Sequence, residues 1–278
     1  MTRELSTFRT SDELSLRYVV DDYTPPWRQA ETETLILLHA AMGTHERLYA
    51  WVPHLAGRYR VVRWDMRGHG ASDKPGPDGL SIERLSRDLV ELMDHLGVAA
   101  AHVAGSSAGG IIAMHAAVSY PARIRTLAAY AAIPGLKASV GHTDYEDWMR
   151  GLVTEGLRAF LKRTIRQRFD VEKVDPGFIE WFLDVAAQND PHFLARYVRM
   201  MSAVDFTSRI GEIRCPSLFV IPGGDPNQSP EHYAVLRAVP NHEMTEYAGL
   251  PHNITDAVPD RCARDLAAFL QRHSGGVG

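Results

Sequence analysis

Cysteine is nearly absent: Cys215 and Cys262 are the only two in 278 residues, far apart and in no Cys-x-x-Cys or Cys/His cluster. That spacing excludes a disulfide framework and suggests no zinc site, so both read as buried thiols. Long apolar runs are absent too. The opening stretch MTRELSTFRTSDELSLRYVV alternates polar and apolar residues, which fits neither a signal peptide nor a membrane span, and the expected location is cytoplasmic. Nor does one charge sign dominate: 30 Lys and Arg against 34 Asp and Glu leave a formal net charge of -4. Nucleic acid and anionic membrane are therefore poor partners. No internal repeat or low-complexity tract occurs. The expected partner is a small-molecule substrate, nothing requires a metal or an organic cofactor, and association into a homo-oligomer is left open.

What the chain does have is an alternation. Short runs rich in Val, Ile, Leu and Tyr at 14–20, 34–39, 60–64, 101–104, 126–132, 217–222 and 243–247 predict strands. Between them, apolar residues recur at helical spacing over 82–96, 110–118, 230–239 and 261–272. In the first of these helices, Ser81 supplies an N-cap, and Ile82, Leu85, Leu89, Leu92 and Met93 form the face that lies on a sheet. The pattern predicts an α/β fold with a mainly parallel sheet flanked by helices. It stops from about Leu136 to Asp205, where the chain becomes helical in pattern and rich in bulky aromatics. The expected organisation is a core of residues 1–135 and 206–278 with an inserted helical cap of 136–205.

The most informative local pattern is Ala101-His102-Val103-Ala104-Gly105-Ser106-Ser107-Ala108-Gly109-Gly110, a Gly-x-Ser-x-Gly sequence between a strand and a helix. A turn that sharp leaves no room for side chains at 105 and 109, and it exposes the Ser107 hydroxyl at the carboxyl end of the sheet. Ser106 is the competitor, but the glycine spacing centres on Ser107. The same turn aims the Ala108 amide, at a helix N-terminus, toward a developing oxyanion. A second donor is expected from the loop His39-Ala40-Ala41-Met42-Gly43 after an early strand, with Ala41 the choice. His39 itself is read as bracing that loop, and Asp65 and Arg67 as tying loops together beneath the site.

Serine hydroxyls are negligibly acidic near neutrality, so a base and a carboxylate are needed. Asp225 ends a buried strand, and His252 sits on a loop before the last helix. The chain order Ser107, Asp225, His252 assigns the nucleophile, the orienting acid and the general base. Asp256 and Asp205 are the rival acids, the first on the loop of His252 and the second near the cap exit.

With these motifs in order from Leu14 to Phe269, the sequence resembles the α/β-hydrolase superfamily. RVVRWDMRGHGASDKP followed by LSIERLSRDLVELMDHLGV looks most like 3-oxoadipate enol-lactonases and related esterases and cofactor-free perhydrolases. It departs from them at His39-Ala40, where His-Gly is usual, and at Ala108, where Met is usual. Serine at 107 separates it from haloalkane dehalogenases and epoxide hydrolases, which use aspartate there. The resemblance implies hydrolysis of a small carboxylic ester or lactone through an acyl-enzyme. The alternatives are a carbon-carbon bond hydrolase acting on vinylogous diketones of aromatic degradation and a ligand-sensing binding protein on the same fold. Transfer of the acyl group to another acceptor stays open as well. Tyr145, Trp148, Tyr197, Met200 and Met201 are candidate pocket residues in the cap, and Arg150, Arg158, Arg163, Arg166 and Arg168 are candidates for a substrate carboxylate or a solvated helix face.

Overall fold

The computed structural model describes residues 5–274; positions 1–4 and 275–278 of the expected core segments lie outside them. The strands are β1 (Ser6–Arg9), β2 (Ser15–Asp21), β3 (Thr34–Leu38), β4 (Arg60–Trp64), β5 (Ala101–Ser106), β6 (Ile124–Tyr130), β7 (Ser217–Pro222) and β8 (His242–Tyr247). They form one sheet in the order β1-β2-β4-β3-β5-β6-β7-β8. β1 pairs with β2 and β2 with β4 antiparallel, and the remaining pairs are parallel. β1 is the strand that the sequence reading did not anticipate: it is four residues long, at the sheet edge, with only Phe8 buried.

Alternation along β3 shows how the strands are covered. Ile36 and Leu38 belong to one apolar cluster, Leu35 and Leu37 to another on the opposite face, and all four are fully buried. A strand buried on both sides has no polar face, which is the mark of a parallel strand with helices on both sides. Helices α1 (Val52–Leu55), α2 (Ile82–His95) and α3 (Ala108–Ser119) follow β3, β4 and β5 or their loops. α2 and α3 cover the Ile36 face, and α3 is buried nearly all round. Between β6 and β7 the chain makes four helices, α4 (Tyr145–Glu155), α5 (Leu157–Arg163), α6 (Pro176–Ala186) and α7 (Pro191–Ala203). α8 (Pro230–Ala234), α9 (Ile254–Ala257) and α10 (Pro259–His273) complete the described residues, with α1 and α10 contributing to the Leu35 face. The expected helix over 230–239 is α-helical only to Ala234 and continues as a 3-10 turn. Among the described residues no helix is long and apolar enough to cross a membrane.

This strand order positions the site. The chain leaves β3 toward β4 on one side and returns to β5 on the other, so the carboxyl ends of β3 and β5 are neighbours, with Leu38 in register with Gly105. A crevice opens where the connections diverge, and ligands in open α/β sheets bind there. The two loops that border it carry Ala41 and Ser107.

Space at that crossing is tight. A Cβ on Gly105 would stand 2.3 Å from the Gly109 carbonyl group, and one on Gly109 would stand 2.6 Å from the carbonyl oxygens of Leu38 and His39. Those neighbours are backbone and cannot swing aside. Gly105→Ala is therefore expected to destabilise the fold by about 3 kcal/mol or more, at the upper end of overpacking costs. Urea unfolding measures it; a change below about 1 kcal/mol would contradict this packing.

Candidate active site

Ser107 lies between β5 and α3, as the N-cap residue of α3, with φ 49° and ψ -114°, a positive φ that costs a non-glycine residue energy. Its N–H donates to the Tyr130 carbonyl at 2.8 Å and its own carbonyl accepts from Ile111 N at 3.0 Å, so both chain directions are tied down. The held turn presents Oγ to His252, whose Nε2 is 2.9 Å away. On the other side of the ring, Nδ1 is 2.8 Å from Asp225 Oδ2. The same Oδ2 accepts from the Tyr233 hydroxyl at 2.6 Å, and Oδ1 accepts from Asn227 N at 2.8 Å. Burial works to raise the Asp225 carboxyl, but the His252 imidazole, the Tyr233 hydroxyl and the Asn227 amide outweigh it and hold it below the ordinary carboxylate range. An ionised carboxylate only accepts, so His252 donates from Nδ1 and leaves Nε2 free to accept the serine proton.

The rivals are engaged elsewhere. Ser106 Oγ bonds Thr255 Oγ1 at 2.8 Å, Asp256 takes Arg47 at 2.9 and 2.5 Å, and Asp205 accepts from Thr207 N at 3.0 Å. Asp65 receives His45 N and Ala71 N, while Arg67 is held by Asp88, Asp12 and the Gly79 carbonyl. These contacts tie the loops around the site together.

Ala41 and Ala108 border the same cavity as Ser107 and His252, and neither amide donates a hydrogen bond within the described residues. Beneath them, His39 donates from Nδ1 to the Ala40 carbonyl at 2.8 Å and accepts Met66 N on Nε2 at 3.1 Å. Burial pushes His39 down to about 3 and His69 down to about 4, and lowers His102 and His115 in the same direction. Each is neutral in the folded protein near neutrality, whereas an unfolded histidine titrates at about 6.5. Between those values the unfolded chain binds more protons, so the stability is present above about pH 6.5 and is lost as the pH falls toward 4. His39 and His69 together should make unfolding about 3–4 kcal/mol easier at pH 5 than at pH 7. Equal urea stability at the two pH values would contradict this.

The cavity, of about 50 Å³, is lined on its outer side by Leu136, Tyr145, Trp148, Tyr197, Val198 and Met201. Of the five cap candidates, Met200 is the correction: it does not border the cavity. Successive helical residues turn by about 100°, so Tyr197, Val198 and Met201 share a face that Met200 leaves. It packs half-buried at the edge of the core instead. Sequence reasoning missed Val198, Leu136, Asn227 and Gln228; the last two follow closely after Asp225, and that adjacency was the available signal. A wider surface cleft of about 980 Å³, lined by His45, Tyr49, Arg63, Phe178 and Trp181 among others, is not bordered by Ser107, Asp225 or His252.

The cap arginines separate into two kinds. Arg150 pairs with Asp147, Arg158 with Glu180 and Asp184, Arg163 with Glu155, and Arg166 with Glu172, all at the surface. Arg168 is buried and has no carboxylate partner among the described residues; its Nη1 donates to the Thr164 carbonyl and hydroxyl, and its guanidinium stands 5.4 Å from the Trp148 ring. Burial, followed by the like charge of Arg47, pushes Arg168 down to about 9. Both cysteines are free, and among the described residues no group of three or more His, Cys, Asp or Glu is arranged to hold a metal ion.

Known proteins share this fold. A family model described as alpha/beta hydrolase fold matches residues 33–255. The chain is 28% identical over 246 residues to the dihydrolipoyllysine-residue acetyltransferase component of the acetoin cleaving system of Pseudomonas putida, covering 86% of this chain but only 64% of that protein, less than two thirds of its length. It is 27% identical over 233 residues to 3-oxoadipate enol-lactonase 2 of Acinetobacter baylyi, covering 80% and 82% of the two chains. Among solved structures, a hydrolase from Pseudomonas aeruginosa PA01 superposes with a TM-score of 0.84 at 26% identity, covering 96% of this chain and 98% of that one.

Proposed function

The chain belongs to the α/β-hydrolase fold family, and on that premise we propose that it is a serine hydrolase cleaving a small carboxylic ester or lactone through an acyl-enzyme. The observation that carries this reading is the continuous relay Asp225–His252–Ser107, with contacts of 2.8 and 2.9 Å, whose Ser107 and His252 line a cavity. The likeness to an enol-lactonase supports the lactone side of it.

In the mechanism, Ser107 Oγ attacks the substrate carbonyl while His252 Nε2 takes its proton. The oxygen becomes an anion, held by the free amides of Ala41 and Ala108; the second also carries the partial positive charge of a helix N-terminus. Collapse of the adduct breaks the bond to the leaving oxygen, which takes the proton from His252. Water then enters, gives a proton to Nε2 and attacks the acyl-serine, and the acid leaves as Ser107 recovers its hydrogen. Asp225 stays ionised throughout and stabilises the imidazolium. Helices α4 to α7 serve as a cap, residues 136–205, that keeps bulk water from the acyl group.

The test is a stopped-flow experiment with nitrophenyl acetate and no added metal. A burst of about one nitrophenol per chain ahead of the steady state is expected of an acyl-enzyme whose hydrolysis is the slower half. No nitrophenol release from any short acyl ester would move the protein out of this class.

A further inference from the structure

Two residues that line the cavity carry an oxygen with no hydrogen-bond partner among the described residues, although their side chains are more than nine-tenths buried: Tyr197 with Oη, 1% exposed, and Gln228 with Oε1, 4% exposed. Buried polar groups are nearly always paired, because an unmade hydrogen bond forfeits the water it displaced. Two such groups beside one small cavity, whose wall also includes the apolar side chains of Ile111, Ala132, Ile133 and Leu136, mark where a polar part of a ligand belongs. The hydrolytic steps use neither of them. His69, whose Nε2 is also unpartnered, stacks edge-on with Tyr197 but does not border the cavity.

The two groups differ in kind. Burial raises the Tyr197 phenol well above its ordinary range, so it keeps a hydrogen to give. Gln228 Oε1 is an amide oxygen and carries no hydrogen of its own. That leaves Oε1 as an acceptor. The wall thus offers one donor and one acceptor, and a hydroxyl group can satisfy both by accepting from Tyr197 and donating to Gln228. An alkyl chain satisfies neither.

We propose that the cavity selects an acyl group bearing a free hydroxyl, so that the substrates are esters of short hydroxycarboxylic acids, with Tyr197 and Gln228 as the specificity-determining residues. This rests on the reading of Ser107 as nucleophile. The acyl part is the one retained in the enclosed space, since the leaving alcohol must collect its proton from His252 and depart. A site that hydrogen-bonds a substrate hydroxyl discriminates strongly against the analogue that lacks it, because its own polar groups are then left bare.

The experiment compares kcat/KM for nitrophenyl propionate with nitrophenyl lactate, and for the butyrate with the 3-hydroxybutyrate, in wild type, Tyr197→Phe and Gln228→Met. Intrinsic ester reactivity cancels when the hydroxyacyl-to-alkyl ratio is compared between proteins. For at least one pair the ratio is expected to fall tenfold or more in each variant; ratios unchanged in both variants overturn the proposal. A second measurement needs no variant: lactate or 3-hydroxybutyrate should inhibit the wild type at least tenfold more tightly than propionate or butyrate, and equal or weaker inhibition also overturns it. Failure of the underlying hydrolase reading looks different, as no ester in the series would be turned over.

Discussion

Ser107→Ala is expected to lower kcat for short acyl esters by about 10⁵- to 10⁶-fold while the protein remains folded. The size follows from how the site is built. In the proposed mechanism Ser107 Oγ forms the acyl bond, and the hydroxyl of the adjacent Ser106 is held by Thr255 at 2.8 Å. Alanine keeps the turn, because its Cβ occupies the place of the serine Cβ at the same φ of 49°. What survives is the contribution of the Ala41 and Ala108 amides and of the cavity, a residual of about 10³- to 10⁴-fold over water in serine hydrolases generally. Steady-state turnover together with a melting curve separates lost chemistry from lost structure. A loss below about a hundredfold would mean that another group attacks.

The second large effect is expected at Asp225. Asparagine has nearly the same shape, but it replaces an acceptor with a group that can donate. His252 Nδ1 would then accept from the amide, its hydrogen would move to Nε2, and Nε2 could no longer take the proton of Ser107. Tyr233 and Asn227, which now donate to the two carboxylate oxygens at 2.6 and 2.8 Å, would compete for the single remaining carbonyl. A fall in kcat of about 10⁴-fold is expected for Asp225→Asn. If Asp225 were only a turn residue after β7, the variant would keep activity within about tenfold, and that is the discriminating comparison.

Much of this was legible in the sequence, for identifiable physical reasons. Gly105 and Gly109 mark a turn where backbone meets backbone, and Ser107 is the residue such spacing exposes. Strands buried on both faces, such as β3, read as continuous apolar runs and were foreseen; β8 was foreseen too, although only Tyr247 in it is buried. The edge strand β1 was not, because with one buried residue in four it carries neither an apolar run nor a full alternation. The aromatic and methionine content of the segment 136–205 suggested residues for the cavity but did not fix the phase of α7, so Met200 was included and Val198 left out. Asn227 and Gln228 lie in a loop, where no periodicity exists to read. The five cap arginines are alike as letters; only the fold shows that four reach surface carboxylates and that Arg168 is enclosed without one.

The central claim, that Ser107 is the covalent nucleophile, is tested most directly by reaction with an alkyl phosphonofluoridate, which traps an activated serine as a stable tetrahedral adduct. Intact-mass and peptide analysis should find about one phosphonyl group per chain, on Ser107, with activity lost in proportion. An unmodified protein, or an adduct on Ser106 or elsewhere with activity retained, would contradict the account.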